Sequence, residues 1–231
     1  MDDKYFTGYD VGCLVMKSWV PKPPGHISCA SNYDFPIYYQ PVQETNNSKI
    51  HGGNKDVIPN IISASKELRD YGCKSLVTSC GYFGHYQKIV ADMDILPTYF
   101  STICLIPFVL RMLRPNDDII LVCYNKEKLT SDLLFSCGVS EEQLSRIHIF
   151  DIINEKELGR IIKDCGEYNV TEARNEVVNV VVEAVRKYNN IGAILLECTD
   201  LPPHSYAIQD AVNLPVFDVT TMIKFIQSLN C

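Results

Sequence analysis

Short apolar runs alternate along this chain with segments whose apolar residues recur every three or four positions. Runs such as residues 75–79 and 191–197 are short and apolar on both faces, which is typical of strands buried in a parallel sheet. Segments such as residues 56–71 and 171–188 place their apolar residues on one face, which predicts amphipathic helices. The alternation predicts an α/β fold with helices on both faces of parallel sheets. The predicted strands cover residues 9–16, 75–79, 95–100, 119–124, 147–152, 191–197 and 215–219, and the predicted helices cover residues 56–71, 82–92, 101–114, 126–137, 155–165, 171–188, 203–211 and 221–229.

The pattern divides into two similar halves at a polar turn containing proline, residues 114–117. Each half contains an apolar strand that stops at a cysteine and a small residue. A long segment in the first half, residues 17–54, is rich in Pro, Gly, Asn and Ser. A segment of that length inside a compact domain is usually functional or carries small elements of its own.

Composition excludes several classes of partner. The formal net charge is −7 and the basic residues form no cluster, so we expect no nucleic acid. No apolar run approaches the roughly 20 residues of a membrane span, so we expect no membrane segment. The polar, acidic start does not resemble a signal peptide, and the cysteines lack zinc spacing. These features predict a cytoplasmic protein with reduced thiols and no metal.

Two cysteines, Cys80 and Cys198, lie at the carboxyl ends of predicted strands and directly before predicted helices. Ligands bind at that edge of open α/β sheets. A helix N-terminus would lower a thiol pKa from about 8.5 and would offer free N–H groups to a carboxylate. Inverting a stereocentre without a cofactor requires a base on one face of the carbon and an acid on the other, which two such cysteines could supply.

Several blocks of sequence together carry a family resemblance, above all TSCG at residues 78–81 and ECTDLP at residues 197–202. With the blocks at residues 11–16, 23–25, 35–37 and 214–218 they extend over essentially the whole chain. The chain resembles the aspartate/glutamate (hydantoin) racemase superfamily, and within it the branch called aspartate/glutamate racemase family proteins.

The resemblance implies two pseudo-symmetric flavodoxin-like lobes, residues 1–115 and 116–207, with residues 208–231 returning to complete the first. It places the active site in the cleft between them. It implies Cys80 and Cys198 as the catalytic pair. The same resemblance assigns the substrate carboxylate to Ser79, Gly81, Thr199 and Asn125, and the tuning of a neighbouring base to Asp200.

The first loop departs from the pattern of the branch. Relatives commonly have an aspartate after the Pro-Gly and an asparagine shortly beyond it, whereas this chain has His26 and Cys29. Because that loop is expected to touch the substrate, the departure leaves the substrate's identity open.

The expected function is therefore racemisation or epimerisation of a small acidic amino acid, aspartate or glutamate, independent of pyridoxal phosphate or any other cofactor. One alternative is a maleate isomerase-like enzyme in which a cysteine is a nucleophile. Another is a catalytically silent dicarboxylate-binding protein. The expected partner is a small-molecule carboxylate, and the sequence leaves open whether the chain forms a homodimer.

Overall fold

Two four-stranded parallel sheets form the centre of the protein in the computed structural model, which describes residues 8–229 without the side chain of residue 162. Each sheet has the order second, first, third, fourth strand. This shared order is the pseudo-symmetry that the family resemblance predicts. The first sheet contains β1 Val11–Val15, β2 Ile37–Pro41, β3 Ser75–Thr78 and β4 Thr98–Tyr99, and the second contains β5 Asp118–Cys123, β6 Ile147–Asp151, β7 Ile191–Leu196 and β8 Val216–Phe217.

Helices cover both faces of the sheets, so the predicted two-lobe α/β fold is confirmed. The α-helices are α1 Asn47–His51, α2 Ile58–Asp70, α3 Gln87–Ala91, α4 Ile106–Met112, α5 Ser131–Ser136, α6 Glu141–Leu144, α7 Leu158–Ile162, α8 Val170–Arg186, α9 Ser205–Val212 and α10 Val219–Leu229. Short 3₁₀ turns cover Ala30–Asn32, Lys55–Val57, Gly81–Tyr86, Thr102–Leu105, Lys126–Lys128 and Pro202–His204. No helix within this described part of the chain has the length and apolar character to cross a membrane.

The central strands are apolar along their length because both of their faces are covered. All four residues of β3 are buried, and so are five of the six residues of β5. A single hydrophobic core includes side chains of both lobes, such as Leu76 and Leu195. The two lobes are therefore packed against each other and hold the ends of β3 and β7 in a fixed relation.

The long first loop contains two elements that position the site. β2 pairs in parallel with β1, and α1 follows it. β2 lies at the edge of the first sheet, is half exposed and ends in Pro41, so it lacks the apolar run that marks the central strands.

The carboxyl-terminal segment is divided between the two lobes. This corrects the expectation that all of residues 208–231, including the last strand, complete the first lobe. β8 pairs with β7 in the second sheet, because Val216 and Phe217 are in register with Ile194 and Leu195. The chain crosses only after residue 217. The buried side chains of α10 then pack against the first sheet, in a cluster of Val219, Met222, Ile223 and Ile226 with Val11, Cys13 and Val77.

Replacing Ile223 with alanine tests this packing. Ile223 is fully buried, so Ile223→Ala should lower the free energy of unfolding by about 2–5 kcal/mol, measured by chemical denaturation. The control is Lys224→Ala on the exposed side of the same helix, which should change it by less than about 0.5 kcal/mol. Equal losses in both variants would contradict the described packing of α10.

Candidate active site

A cavity of about 580 Å³ lies between the lobes, at the carboxyl ends of β1, β3 and β7. The segment from Ser79 to Tyr82 lines it from the first lobe, and the segment from Glu197 to Asp200 lines it from the second. Cys80 and Cys198 both line this one cavity, one from each lobe. The structure therefore brings the two predicted cysteines together.

Close backbone approach joins the lobes at Gly81. A Cβ atom on Gly81 would lie 2.2 Å from Oε1 and 2.4 Å from the backbone oxygen of Glu197, so no larger residue fits without movement. Beside this contact the hydroxyl of Thr199 donates a hydrogen bond of 2.6 Å to the backbone oxygen of Ser79. The small residues on either side of the cysteines thus set the distance between the lobes.

Cys80 lies beside a histidine that the first loop contributes. Its Sγ is 3.6 Å from Nε2 of His51, which belongs to α1. Burial lowers the pKa of His51 to about 4, so its ring is neutral and can accept a hydrogen bond from the Cys80 thiol. The ring packs on Tyr82, with centroids 4.2 Å apart, which fixes its orientation.

Cys198 lies beside a carboxylate whose other oxygen is held by a second histidine. The Cys198 thiol donates to Oδ2 of Asp200 at 3.7 Å, and Nε2 of His26 is 2.9 Å from Oδ1. The backbone N–H of Ser28 donates to Nδ1 of His26, so the proton of the neutral ring is on Nε2 and points at Asp200. Burial opposes ionisation of Asp200, but His26 and Lys22 hold its pKa below the ordinary value.

The surroundings of both cysteines favour the neutral thiol form. Burial raises the pKa of each well above the ordinary value, and Glu197 and Asp200 raise it further. The backbone N–H of Tyr82 acts in the opposite direction on Cys80, and that of Asp200 does so on Cys198. The expected lowering by a helix N-terminus is wrong, because short 3₁₀ turns follow the cysteines and burial outweighs the few N–H groups there.

Not all of the residues predicted to contact the substrate carboxylate line the cavity. Ser79, Gly81 and Thr199 line the cavity, although the Thr199 hydroxyl proton is already donated to Ser79. Asn125 is not part of the lining, contrary to the prediction. Its side chain accepts a hydrogen bond from the backbone N–H of Glu127, and its backbone exchanges two 2.8 Å hydrogen bonds with the hydroxyl of Tyr82. Asn125 therefore caps a turn and orients Tyr82.

Three residues of the site are not predicted as site residues from the sequence. His51 lies in the loop that reads as irregular, Tyr124 reads as the end of a strand, and Glu197 belongs to the ECTDLP block without being assigned a role. His26 is visible only as a departure from the family pattern. Within residues 8–229 no three His, Cys, Asp or Glu side chains are grouped so that they could hold a metal ion.

Thiol alkylation tests the electrostatics around Cys198. Asp200→Asn removes a negative charge that raises the Cys198 pKa, so Cys198 should react several-fold faster with iodoacetamide at pH 8. Cys80 should change less, because Asp200 is the smallest of the influences on its pKa. Mass spectrometry of each peptide, with the exposed Cys165 as internal reference, measures both rates.

The matched control for this experiment is Asp132→Asn, which changes an exposed carboxylate and should leave both rates unaltered. Slower alkylation of Cys198 in Asp200→Asn would contradict the interpretation. It would mean that Asp200 acts chiefly by accepting the thiol proton.

The chain is similar in sequence to proteins named dimethylsulfoniopropionate lyases. No protein-family model matches it. Dimethylsulfoniopropionate lyase 7 from Emiliania huxleyi (strain CCMP1516) is 28% identical over 221 residues, which cover 90% of this chain and 64% of that protein. The chain thus spans slightly less than two thirds of this curated relative.

Solved structures show the same fold. Allantoin racemase from Klebsiella pneumoniae superposes with a TM-score of 0.62 and 15% identity, covering 95% of this chain and 87% of that one. An aspartate racemase homologue from Pyrococcus horikoshii OT3 gives a TM-score of 0.57 and 17% identity over 96% of this chain and 98% of that one. The proteins that this chain resembles are enzymes or homologues of enzymes, and the chain shares the two-lobe α/β fold of these racemase structures.

Proposed function

We propose that this protein is an enzyme that moves a proton at the carbon next to a carboxylate, and that it racemises or epimerises a small acidic amino acid, aspartate or glutamate. Cys80 and Cys198 are the acid and the base. One observation carries the proposal: two thiols, one from each lobe, line one cavity. Acid and base on opposite faces of a carbon are what inversion without a cofactor requires.

In the proposed reaction one cysteine acts as a thiolate and takes the α-proton. The electron pair of the broken C–H bond passes into the carboxylate, and the other cysteine, as a thiol, returns a proton to the opposite face. Burial and the nearby carboxyl groups favour the thiol form of both cysteines, so the substrate must help to form the thiolate. The α-ammonium group of an amino acid lies one bond from the reacting carbon, and its positive charge lowers the pKa of a thiol beside it.

The surroundings support a substrate with separated charges. Lys17 and Lys22 line the cavity and can attract a second carboxylate, while Asp200 and Glu44 can attract a cation. Ser79 keeps its hydroxyl proton free to donate, because its Oγ accepts a hydrogen bond from the backbone N–H of Met16. These groups bind a small zwitterion more readily than an apolar molecule.

A second candidate is β-elimination, and the similarity to a dimethylsulfoniopropionate lyase favours it. The first step is the same removal of a proton next to a carboxylate. The electron pair then forms a carbon–carbon double bond and expels the sulfide from the neighbouring carbon. Tyr82 and Tyr124 line the cavity and offer aromatic surface to a sulfonium cation.

Solvent deuterium exchange tests the shared step and separates the two outcomes. In D₂O without added cofactor, the enzyme should incorporate deuterium at the α-carbon of aspartate or glutamate and form the opposite enantiomer. Elimination should instead release dimethyl sulfide and acrylate from dimethylsulfoniopropionate. Cys80→Ser and Cys198→Ser should each lower the rate at least about 10²-fold, since each removes one partner in proton transfer.

The control is Cys165→Ser, which replaces an exposed thiol and should keep full activity. No exchange and no elimination across a panel of acidic amino acids, hydantoins and the sulfonium compound would overturn the proposal. A covalent adduct of maleate on Cys80 would instead indicate a nucleophilic cysteine and an isomerase. Binding of dicarboxylates without turnover would indicate a silent binding protein.

A further inference from the structure

Glu197 is a fully buried carboxyl group in the wall of the cavity. It has no solvent-exposed surface, yet it lines the same cavity as Cys80 and Cys198. Among residues 8–229 neither of its carboxyl oxygens makes a hydrogen bond of normal geometry, although the backbone N–H of Tyr124 lies nearby, and no ion pair there includes it. Most buried polar groups in proteins are paired, so a carboxyl group left free at a cavity calls for a ligand or a proton.

Asp200 is the charged group that disfavours a negative charge on Glu197. The other titratable groups that interact with Glu197 are acids whose own pKa it raises, and none of them supplies a positive charge: Cys80, Tyr82, Cys123, Cys137 and Cys198. Burial raises the pKa of Glu197 to about 8, Asp200 adds to the increase, and the backbone N–H of Tyr124 only partly opposes it. Below about pH 8 the group is therefore a neutral carboxylic acid with an O–H to donate.

We propose that Glu197, as an uncharged carboxylic acid, donates a hydrogen bond to the carboxylate of the substrate while the neighbouring carbon loses its proton. This inference rests on the proposed function, because it assigns the group that stabilises the charge formed in that step. Three observations support this inference: Glu197 lines the cavity, its carboxyl oxygens make no hydrogen bond of normal geometry, and the residue is completely buried. Gly81 contributes by leaving room for the Glu197 carboxyl group at the lobe junction.

The chemistry explains why the donor has to be uncharged. Removal of the α-proton adds a second negative charge to a group that is already a carboxylate. A glutamate anion beside it would repel that charge, whereas an O–H group stabilises it and gains strength as the charge grows. In this step Glu197 keeps its proton, the thiolate sulfur takes the α-proton, and no other bond to the enzyme forms or breaks.

Two substitutions at one position separate donation from packing. Glu197→Gln keeps an N–H donor of nearly the same shape but cannot ionise, and Glu197→Leu removes the donor. For wild type, kcat/KM should fall as pH rises through about 8, because Glu197 loses its proton. Glu197→Gln should lack that alkaline loss and remain within about 10-fold of wild type at pH 7. Glu197→Leu should lose about 10²–10³-fold, mainly in kcat.

An infrared difference measurement gives a readout that does not depend on turnover. The C=O stretch of a protonated carboxylic acid should disappear from the wild-type spectrum between pH 7 and pH 9 and be absent from Glu197→Gln. The exposed Glu141→Gln serves as matched control and should keep both the band and the wild-type pH profile. Thermal melting of each variant checks that it is folded.

The outcomes distinguish this inference from the proposed function. If wild type exchanges the α-proton but Glu197→Gln keeps the same alkaline loss, the assignment of Glu197 is wrong and the function stands. The same holds if Glu197→Leu is as active as Glu197→Gln. If wild type catalyses no exchange or elimination while the infrared band titrates as expected, the proposed function is wrong. The conclusion that Glu197 is protonated at neutral pH would still stand.

Discussion

The direct contact between the two lobes at the end of β3 and β7 is the constraint on which the site depends. Gly81 lies against the backbone and side chain of Glu197, and Thr199 is hydrogen bonded to the backbone oxygen of Ser79. Each contact is made by residues next to the cysteines. The same contacts therefore determine both the packing of the lobes and the positions of the thiols. A change in the lobe junction must move the sulfur atoms.

Burial at this junction sets the charge state of every group there. Removed from water, the two thiols and Glu197 favour their neutral forms, and His51 does as well. Asp200 is the exception, because His26 donates to it and Lys22 lies near it. At the junction Asp200 is therefore a charged carboxylate next to neutral groups, an arrangement in which the charge on the bound substrate decides where protons go.

The sequence predicts the architecture and the two cysteines because both depend on local signals. Buried strands read as apolar runs, and the repeated position of Cys80 and Cys198 at strand ends brings them to one edge. Features that depend on contacts between residues far apart in the sequence cannot be predicted from local patterns. His51 comes from a segment without periodicity, and β2 is a half-exposed edge strand. Glu197 belongs to the ECTDLP block, but its burial without a hydrogen bond of normal geometry shows only in the folded structure. Asn125 is a predicted site residue that the structure uses locally. Its side-chain oxygen accepts a hydrogen bond from the backbone N–H of Glu127 in a turn.

The pair formed by His26 and Asp200 has a consequence for variation among relatives. An imidazole with its proton on Nε2 lets the opposing carboxylate keep its charge without a full countercharge. An aspartate at position 26 would set two acids face to face and force one of them to hold a proton. Residues 26 and 200 should therefore vary together, and their combination decides whether Cys198 has an anion or an acid as its neighbour.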